Sequence, residues 1–147
     1  KSQVIPKNLL LLPLAMIGYF DAEDGKPKVV LSVKGTKRKE KQLTALFDTG
    51  HSGSLSLPIF DLIEIGAKLA SIGRAQYADG RIGIDYLFSV KVKFNGIEKE
   101  VEASMIQNPQ VTQAIAGVQL FSPFIALIDF RNKKLNLIKE NDLRKKL

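Results

Sequence analysis

The sequence predicts a small, closed, mostly antiparallel β domain. Apolar, strand-like segments dominate the chain, and several are joined by the turn dipeptides Asp79-Gly80 and Asn95-Gly96. Asn, Asp and Gly favour tight hairpin turns because they tolerate the positive φ that such turns require. In addition, a pattern of strands, glycine and a short helical piece occurs once around Asp48 and again around Gly117. This rough two-fold pattern is typical of a compact β fold.

Length and composition indicate one globular domain. A chain of 147 residues with 45% hydrophobic and 25% charged residues resembles ordinary globular proteins and differs from disordered ones. We therefore expect a single domain over residues 1–147. Within it, we expect an N-terminal extension over about 1–26 and a basic C-terminal tail over 139–147.

The predicted strands form hairpins. Residues 28–33 and 42–47 flank a basic, glycine-containing loop and lead into Asp48. Residues 72–79 and 82–94 flank Asp79-Gly80, while 84–94 and 97–106 flank Asn95-Gly96. The segment 114–117 is apolar and ends in glycine, and a final strand pair covers 125–130 and 134–138.

Helical signals are few. Apolar residues at largely helical spacing predict one clear helix over about 58–70, with Pro58 suited to its first turn. A short helical piece is expected near 118–123. The tail from Lys139 is expected either to form a short helix or to fray.

The apolar stretch of residues 9–17 contains Pro13 and is far shorter than the roughly 20 residues of a membrane-spanning helix. The segment 13–20 favours a buried strand over a secretory signal, because no small-residue cleavage pattern follows it. Membrane contact is expected only if an anchor lies upstream of Lys1. A cytoplasmic location is favoured, and a membrane-anchored or exported protein remains an alternative.

Charge and composition exclude several function classes. The net charge of +7 is concentrated in residues 34–41 and 131–147. No aromatic residues interleave with these cations to stack on bases, so solvated charge is favoured over a nucleic-acid site. The absence of cysteine excludes disulfides, thiol nucleophiles and cysteine-based zinc sites, and the single histidine, His51, excludes a multi-histidine metal site. No metal or other cofactor is expected.

The segment "ALFDTGHSGSLSLP" (45–58) contains the residues that point to chemistry. An apolar run ends at Asp48, and Thr49 and Gly50 follow at once. An acid at the mouth of a buried strand, with glycine beside it for a sharp turn, is placed to present a carboxylate at the floor of a cleft.

The sequence resembles the retropepsin-like aspartic proteases, in particular their prokaryotic single-domain branch. The resemblance runs from about Val29 to Ile138 in the family's order and is carried by four segments: "LFDTGHSGSLSLP", "YADGRIGIDYLFSVKVKFNG", "AIAGVQLF" and "ALIDFRNKKLNLI". It implies a closed acid-protease β-barrel, aspartic endopeptidase activity on polypeptides and a homodimer. One carboxylate cannot both activate water and protonate a leaving group, so a chain with one such loop needs a second copy. The alternative is an inactive module of the same fold that binds peptides or mediates assembly.

The resemblance also assigns site residues by motif position. Asp48 is the implied catalytic residue, and Thr49, Gly50, Ala116 and Gly117 are the implied supports of its loop. The implied flap, which covers bound substrate, has its tip at Asp79-Gly80-Arg81. The flap and substrate-binding residues are Tyr77, Ala78, Asp79, Gly80, Arg81 and Ile82.

The chain departs from the retroviral members of the family at two positions. Those members carry an acid where this chain has Ser52 and an arginine where it has Val118, and the two residues brace their dimer. Their terminal strands also interleave, whereas this chain ends in a charged tail.

Other polar residues have simpler interpretations. His51 is expected to be a loop residue, with tuning of the catalytic acids or contact with substrate as the alternative. Asp129 is expected to be a strand-end acid that faces solvent or a cation, and a second catalytic acid is the less favoured interpretation. Asp21 and Asp24 are expected in a turn, because the remaining ligands of a calcium loop are missing.

Overall fold

The computed structural model describes residues 18–36 and 39–144. Ten strands and two short helices make up most of this part of the chain, which confirms the predicted mostly-β class. The strands are β1 (Gly18–Phe20), β2 (Pro27–Lys34), β3 (Glu40–Phe47), β4 (Leu55–Pro58), β5 (Lys68–Gln76), β6 (Ile82–Phe94), β7 (Ile97–Ile106), β8 (Ala114–Ala116), β9 (Phe124–Asp129) and β10 (Lys134–Lys139). The helices are α1 (Ile59–Ile65) and α2 (Glu140–Arg144). None of the helices in the described part is long and apolar enough to cross a membrane.

Six strands close into a barrel. The sheet order is β1-β2-β3-β8-β4-β7-β6-β5, and an additional antiparallel pairing of β2 with β6 closes the ring. β1 extends the sheet beyond β2, and β5 extends it beyond β6. β9 and β10 form a separate two-stranded antiparallel ribbon.

The barrel is filled by alternating apolar residues, as expected for strands with one buried face. Val29, Leu31 and Val33 of β2 are buried, as are Val90 and Val92 of β6. Aromatic contacts then connect the barrel to the start of β9. These join Phe47 to Phe121, Phe94 to Phe121 and Phe94 to Phe124, with ring centroids 4.9, 5.8 and 5.4 Å apart.

The predicted hairpins are present with small changes in their bounds. Asn95 and Gly96 have φ values of 49° and 71°, the positive values that a two-residue hairpin turn needs. β5 begins at Lys68 and ends at Gln76, whereas the sequence placed that strand over 72–79. In the predicted strand over residues 13–20, only 18–20 lie within the described residues, and they pair with β2.

The predicted helix over 58–70 is too long. α1 ends at Ile65 because Gly66 adopts a left-handed conformation with φ 64° and ψ 44°. The amides of Gly66 and Ala67 donate to the carbonyls of Ile63 and Leu62 and complete the helix end. Leu69, which fitted the helical period, instead lies in β5 and is 46% exposed.

The segment 118–123 is not a helix. The amides of Leu120 and Phe121 donate to the carbonyls of Gly117 and Val118, three residues back, so the backbone forms successive turns. Of the two alternatives for the tail, the described residues show the short helix, because α2 follows β10 directly.

Candidate functional site

The Asp48 loop leaves the barrel at the end of β3. Ala45 and Phe47 are buried, which fixes the strand that leads into the loop. β8 runs parallel to β3, with Phe47 opposite Ala116. The Asp48 amide then donates to the carbonyl oxygen of Ala116 at 3.0 Å, so the backbone of Asp48 is held by β8 as well as by its own strand.

The Asp48 carboxylate is oriented by its own loop. The Gly50 amide donates to Oδ1 of Asp48 at 2.9 Å, and the His51 amide donates to the Asp48 carbonyl at 3.3 Å. Asp48 is partly buried, whereas Thr49 and Gly50 are exposed. The carboxylate therefore has a fixed direction at the edge of the molecule, next to two exposed residues. In the described part of the chain, no other acid is hydrogen-bonded to it.

Gly117 lies directly behind this loop. Its amide donates to the Ser54 carbonyl at 2.9 Å, and the amides of Val118 and Gln119 donate to the carbonyls of His51 and Gly53 at 3.0 and 3.2 Å. β8 also pairs with β4, so this segment lies between the strands that enter and leave the loop.

No side chain fits at position 117. A Cβ atom there would lie 2.5 Å from Cδ2 and 2.6 Å from the carbonyl oxygen of His51, and it would also overlap the Gly53 carbonyl oxygen. Only glycine allows the two backbones to approach so closely.

His51 lies at the back of the loop. Its Nε2 is 3.2 Å from Oγ of Ser56, a buried residue of β4. The His51 ring also lies close to Gly117, so this side chain packs within the Asp48 loop.

The predicted flap residues lie at the turn of the β5–β6 hairpin. The Tyr77 amide donates to the Arg81 carbonyl at 2.8 Å, and Gly80 has a φ of 84°. Nε of Arg81 donates to Oδ2 of Asp79 at 2.6 Å, and the Arg81 guanidinium lies 5.9 Å from the centre of the Tyr77 ring. Residues 77–82 are all exposed, and Ile82 is 69% exposed.

A cleft of about 800 Å³ separates the hairpin from the back half of the Asp48 loop. It is lined by residues 51–55 of the loop, residues 74–76, 85 and 87 of the hairpin, residues 99–102 and 104 of β7, and Gln119. Asp48, Thr49 and Gly50 do not line it. In one chain, the predicted catalytic acid thus lies beside the cleft and not inside it.

The charged and polar residues that line the cleft were not predicted from the sequence. Ser104 donates to Oδ2 of Asp85 at 2.9 Å across the β6–β7 pairing. Lys99 Nζ donates to the Gln119 carbonyl at 3.1 Å and so connects β7 to the segment behind the loop. No local motif marks these residues, because their proximity follows from strand register.

The remaining acids have structural partners. Asp129 accepts bonds from the backbone and side-chain amides of Asn132, which lower the pKa of its carboxyl, so it caps a turn at the end of β9. Asp21 and Asp24 lie in a turn, as predicted, and each is within 3 Å of Nζ of the buried Lys28. The bond from Lys28 is the main cause of the lowered pKa of Asp21, and the bond from the Lys26 amide is the main cause of the lowered pKa of Asp24. Across residues 18–36 and 39–144, no three potential metal ligands are grouped together.

The chain matches no protein-family model, and a search of curated proteins finds no match.

Proposed function

We propose that this protein is a retropepsin-like aspartic endopeptidase that hydrolyses peptide bonds as a homodimer. The observation that carries the proposal is the Asp48 loop, whose carboxylate is oriented by the Gly50 amide and whose backbone is bonded at several points to the segment 116–119. A rigid loop matters because a catalytic group must be held close to its productive geometry before substrate arrives.

The reaction needs two copies of Asp48. In each dimer, one carboxylate is ionised and takes a proton from a water molecule, while the other is protonated and hydrogen-bonds the carbonyl oxygen of the scissile bond. Two carboxylates in near contact share one proton, because both cannot readily be ionised together. The attack of water gives a tetrahedral intermediate, and its collapse transfers a proton to the leaving amine and cleaves the C–N bond.

In this proposal, an extended peptide binds along the hairpin, next to the cleft that lies beside Asp48. The exposed turn of residues 77–81 projects from the barrel, and the cleft runs between its strands and the loop residues 51–55. A peptide in an extended conformation can add backbone hydrogen bonds to such a hairpin, and closure of the hairpin would exclude water from the reacting bond.

The proposed dimer lacks the ion pair that braces the retroviral dimers. Ser52 and Val118 replace the acid and the arginine, and backbone bonds such as that from the Val118 amide to the His51 carbonyl hold the same segments together. These bonds support the loop within one chain.

The test compares the wild-type protein with Asp48→Asn on an unfolded polypeptide mixture between pH 3 and pH 8, with products identified by mass spectrometry. Asp142→Asn, the same chemical change at an exposed position of α2, is the matched control. We expect cleavage by the wild type and the control, and loss of at least about a thousandfold in rate for Asp48→Asn. Equal cleavage by Asp48→Asn would refute the proposal. A folded, dimeric wild type without activity would favour the inactive peptide-binding alternative.

A mixing experiment tests whether two Asp48 residues act together. If wild-type and Asp48→Asn chains exchange freely in equal amounts, about a quarter of the dimers carry two intact acids. Activity per wild-type chain should then fall by about half, whereas a monomeric enzyme would lose nothing.

A further inference from the structure

The β5–β6 hairpin extends beyond the barrel. β7 pairs with β6 from Phe94 back to Leu87, which lies opposite Ser104. Beyond that pair, β7 continues along β4, whereas β6 continues along β5 to the turn of residues 77–81. Within the described ranges, residues 82–86 of β6 have no strand partner other than β5. β6 and β7 therefore diverge, and the backbone ladder of β7 no longer holds this part of the hairpin.

Two side-chain hydrogen bonds cross the gap between the diverging strands. Oγ of Ser104 donates to Oδ2 of Asp85 at 2.9 Å, and Nε2 of Gln107 donates to the carbonyl oxygen of Ile84 at 2.6 Å. Gln107 directly follows β7 and is exposed, whereas Ser104 and Asp85 are partly buried. In the part of the chain that the structure describes, these are the only side-chain hydrogen bonds between residues 77–86 and the barrel.

We propose that Gln107 and Ser104 are positioning residues whose two hydrogen bonds, here called the latch, hold the hairpin against the barrel and set how firmly a bound peptide is retained. The inference rests on the proposed function, because it concerns how the same site keeps its substrate. Water can replace an exposed hydrogen bond at little net cost. The hairpin can therefore be released and held again while the barrel stays folded.

The loop that follows β7 connects the latch to the strand that leads into the catalytic loop. Residues 107–113 join β7 to β8, and at the far end of this loop Nε2 of Gln113 donates to the Thr44 carbonyl at 2.9 Å. A carbonyl of β8 then accepts the Asp48 amide. One short loop is thus bonded to the hairpin through Gln107 and to β3 through Gln113. The latch therefore fixes the hairpin relative to the strand that presents Asp48.

The position of the hairpin can be measured with spin labels. Gln107→Glu removes the donor of the latch, because an ionised carboxylate only accepts hydrogen bonds, whereas Gln107→Lys keeps a donor. Gln110→Glu, the same change at an exposed position of the same loop, is the matched control. The chain contains no cysteine, so labels on Ala78→Cys and Asp142→Cys report the distance between the hairpin turn and α2. Dilution with unlabelled protein restricts the measurement to distances within one chain.

Double electron–electron resonance should give one main distance in the otherwise wild-type protein and in Gln110→Glu. Gln107→Glu should increase the fraction of chains at other distances at least about threefold, and Ser104→Ala should act in the same direction. Gln107→Lys should restore the main distance. An unchanged distribution in Gln107→Glu and Ser104→Ala overturns the proposal. If one of these two variants fails to fold by circular dichroism, the other decides.

Kinetics on a peptide that the wild type cleaves distinguish positioning of the hairpin from general support of the fold. Gln107→Glu should raise KM at least about threefold and change kcat by less than about twofold, because a released hairpin retains peptide less well while the Asp48 loop keeps its own bonds. A fall in kcat at unchanged KM would overturn the role of the latch. An active enzyme whose hairpin does not respond to the two variants refutes the latch alone. A hairpin that responds, in a protein that cleaves no peptide, supports the latch and refutes the protease.

Discussion

Replacement of Gly117 by alanine should destabilise the protein strongly. The added Cβ would lie 2.5 Å from Cδ2 and 2.6 Å from the carbonyl oxygen of His51, and would overlap the Gly53 carbonyl oxygen. Two of these three neighbours are backbone atoms, so no rotamer change can relieve the overlap. Overpacking of this kind costs about 1–3 kcal/mol. If the segment 117–119 moved away from the Asp48 loop, its hydrogen bonds to the carbonyls of His51, Gly53 and Ser54 would also weaken. Each such bond contributes about 1 kcal/mol.

We therefore expect Gly117→Ala to lower the free energy of unfolding by about 3 kcal/mol, a large part of the stability of a typical domain. Urea denaturation followed by circular dichroism measures this difference. Gly73→Ala is the matched control, because a Cβ at Gly73 has no neighbour within 4 Å and that glycine also lies in a strand. The control should change stability by no more than about 0.5 kcal/mol. If Gly117→Ala were as stable as the control, the close packing of β8 behind the loop would be refuted.

Two further predictions concern the N-terminal part of the described chain. The pKa values of Asp21 and Asp24 lie below their ordinary 3.8, so the stability they contribute is present above pH 3.8 and is lost as pH falls through their folded-state values. Lys28 contributes to lowering both pKa values. The urea midpoint of Lys28→Met should therefore fall less between pH 6 and pH 3 than that of the wild type. Equal falls would contradict the role given to Lys28. Gly18→Ala places a Cβ 2.6 Å from Cγ of the fully buried Leu135. This overlap should lower the free energy of unfolding by about 1–2 kcal/mol in the same urea assay. An unchanged midpoint would argue against the packing of β1 on β10.

Local signals in the sequence predicted most of the elements. Asn95-Gly96 forms the hairpin turn expected of that dipeptide, because its φ values are set by the two residues themselves. The error over 58–70 has a local cause as well. Gly66 is a typical helix-ending residue, and its signal should have outweighed the apolar spacing that extended to Leu69.

The placement of the Asp48 loop was predicted, whereas the cleft beside it was not. Asp48 lies at the end of a buried strand, as its apolar lead-in indicates, and Gly117 lies behind its loop. The cleft residues Asp85, Lys99 and Ser104 were not predicted, because single polar residues in amphipathic strands look the same whether they line a cleft or face solvent.

The sequence by itself determined where most strands and turns form and where a carboxylate follows an apolar run. Backbone preference and the alternation of apolar and polar residues act over a few neighbouring residues, so local sequence carries these signals. Tertiary structure alone decided that β8 lies between β3 and β4 and that β2 pairs with β6. These pairings join segments far apart along the chain, where the entropy of loop closure is offset only by the burial of the whole core. The support of Asp48 by Ala116 and Gly117 is therefore a property of the closed barrel, not of the loop sequence that presents the acid.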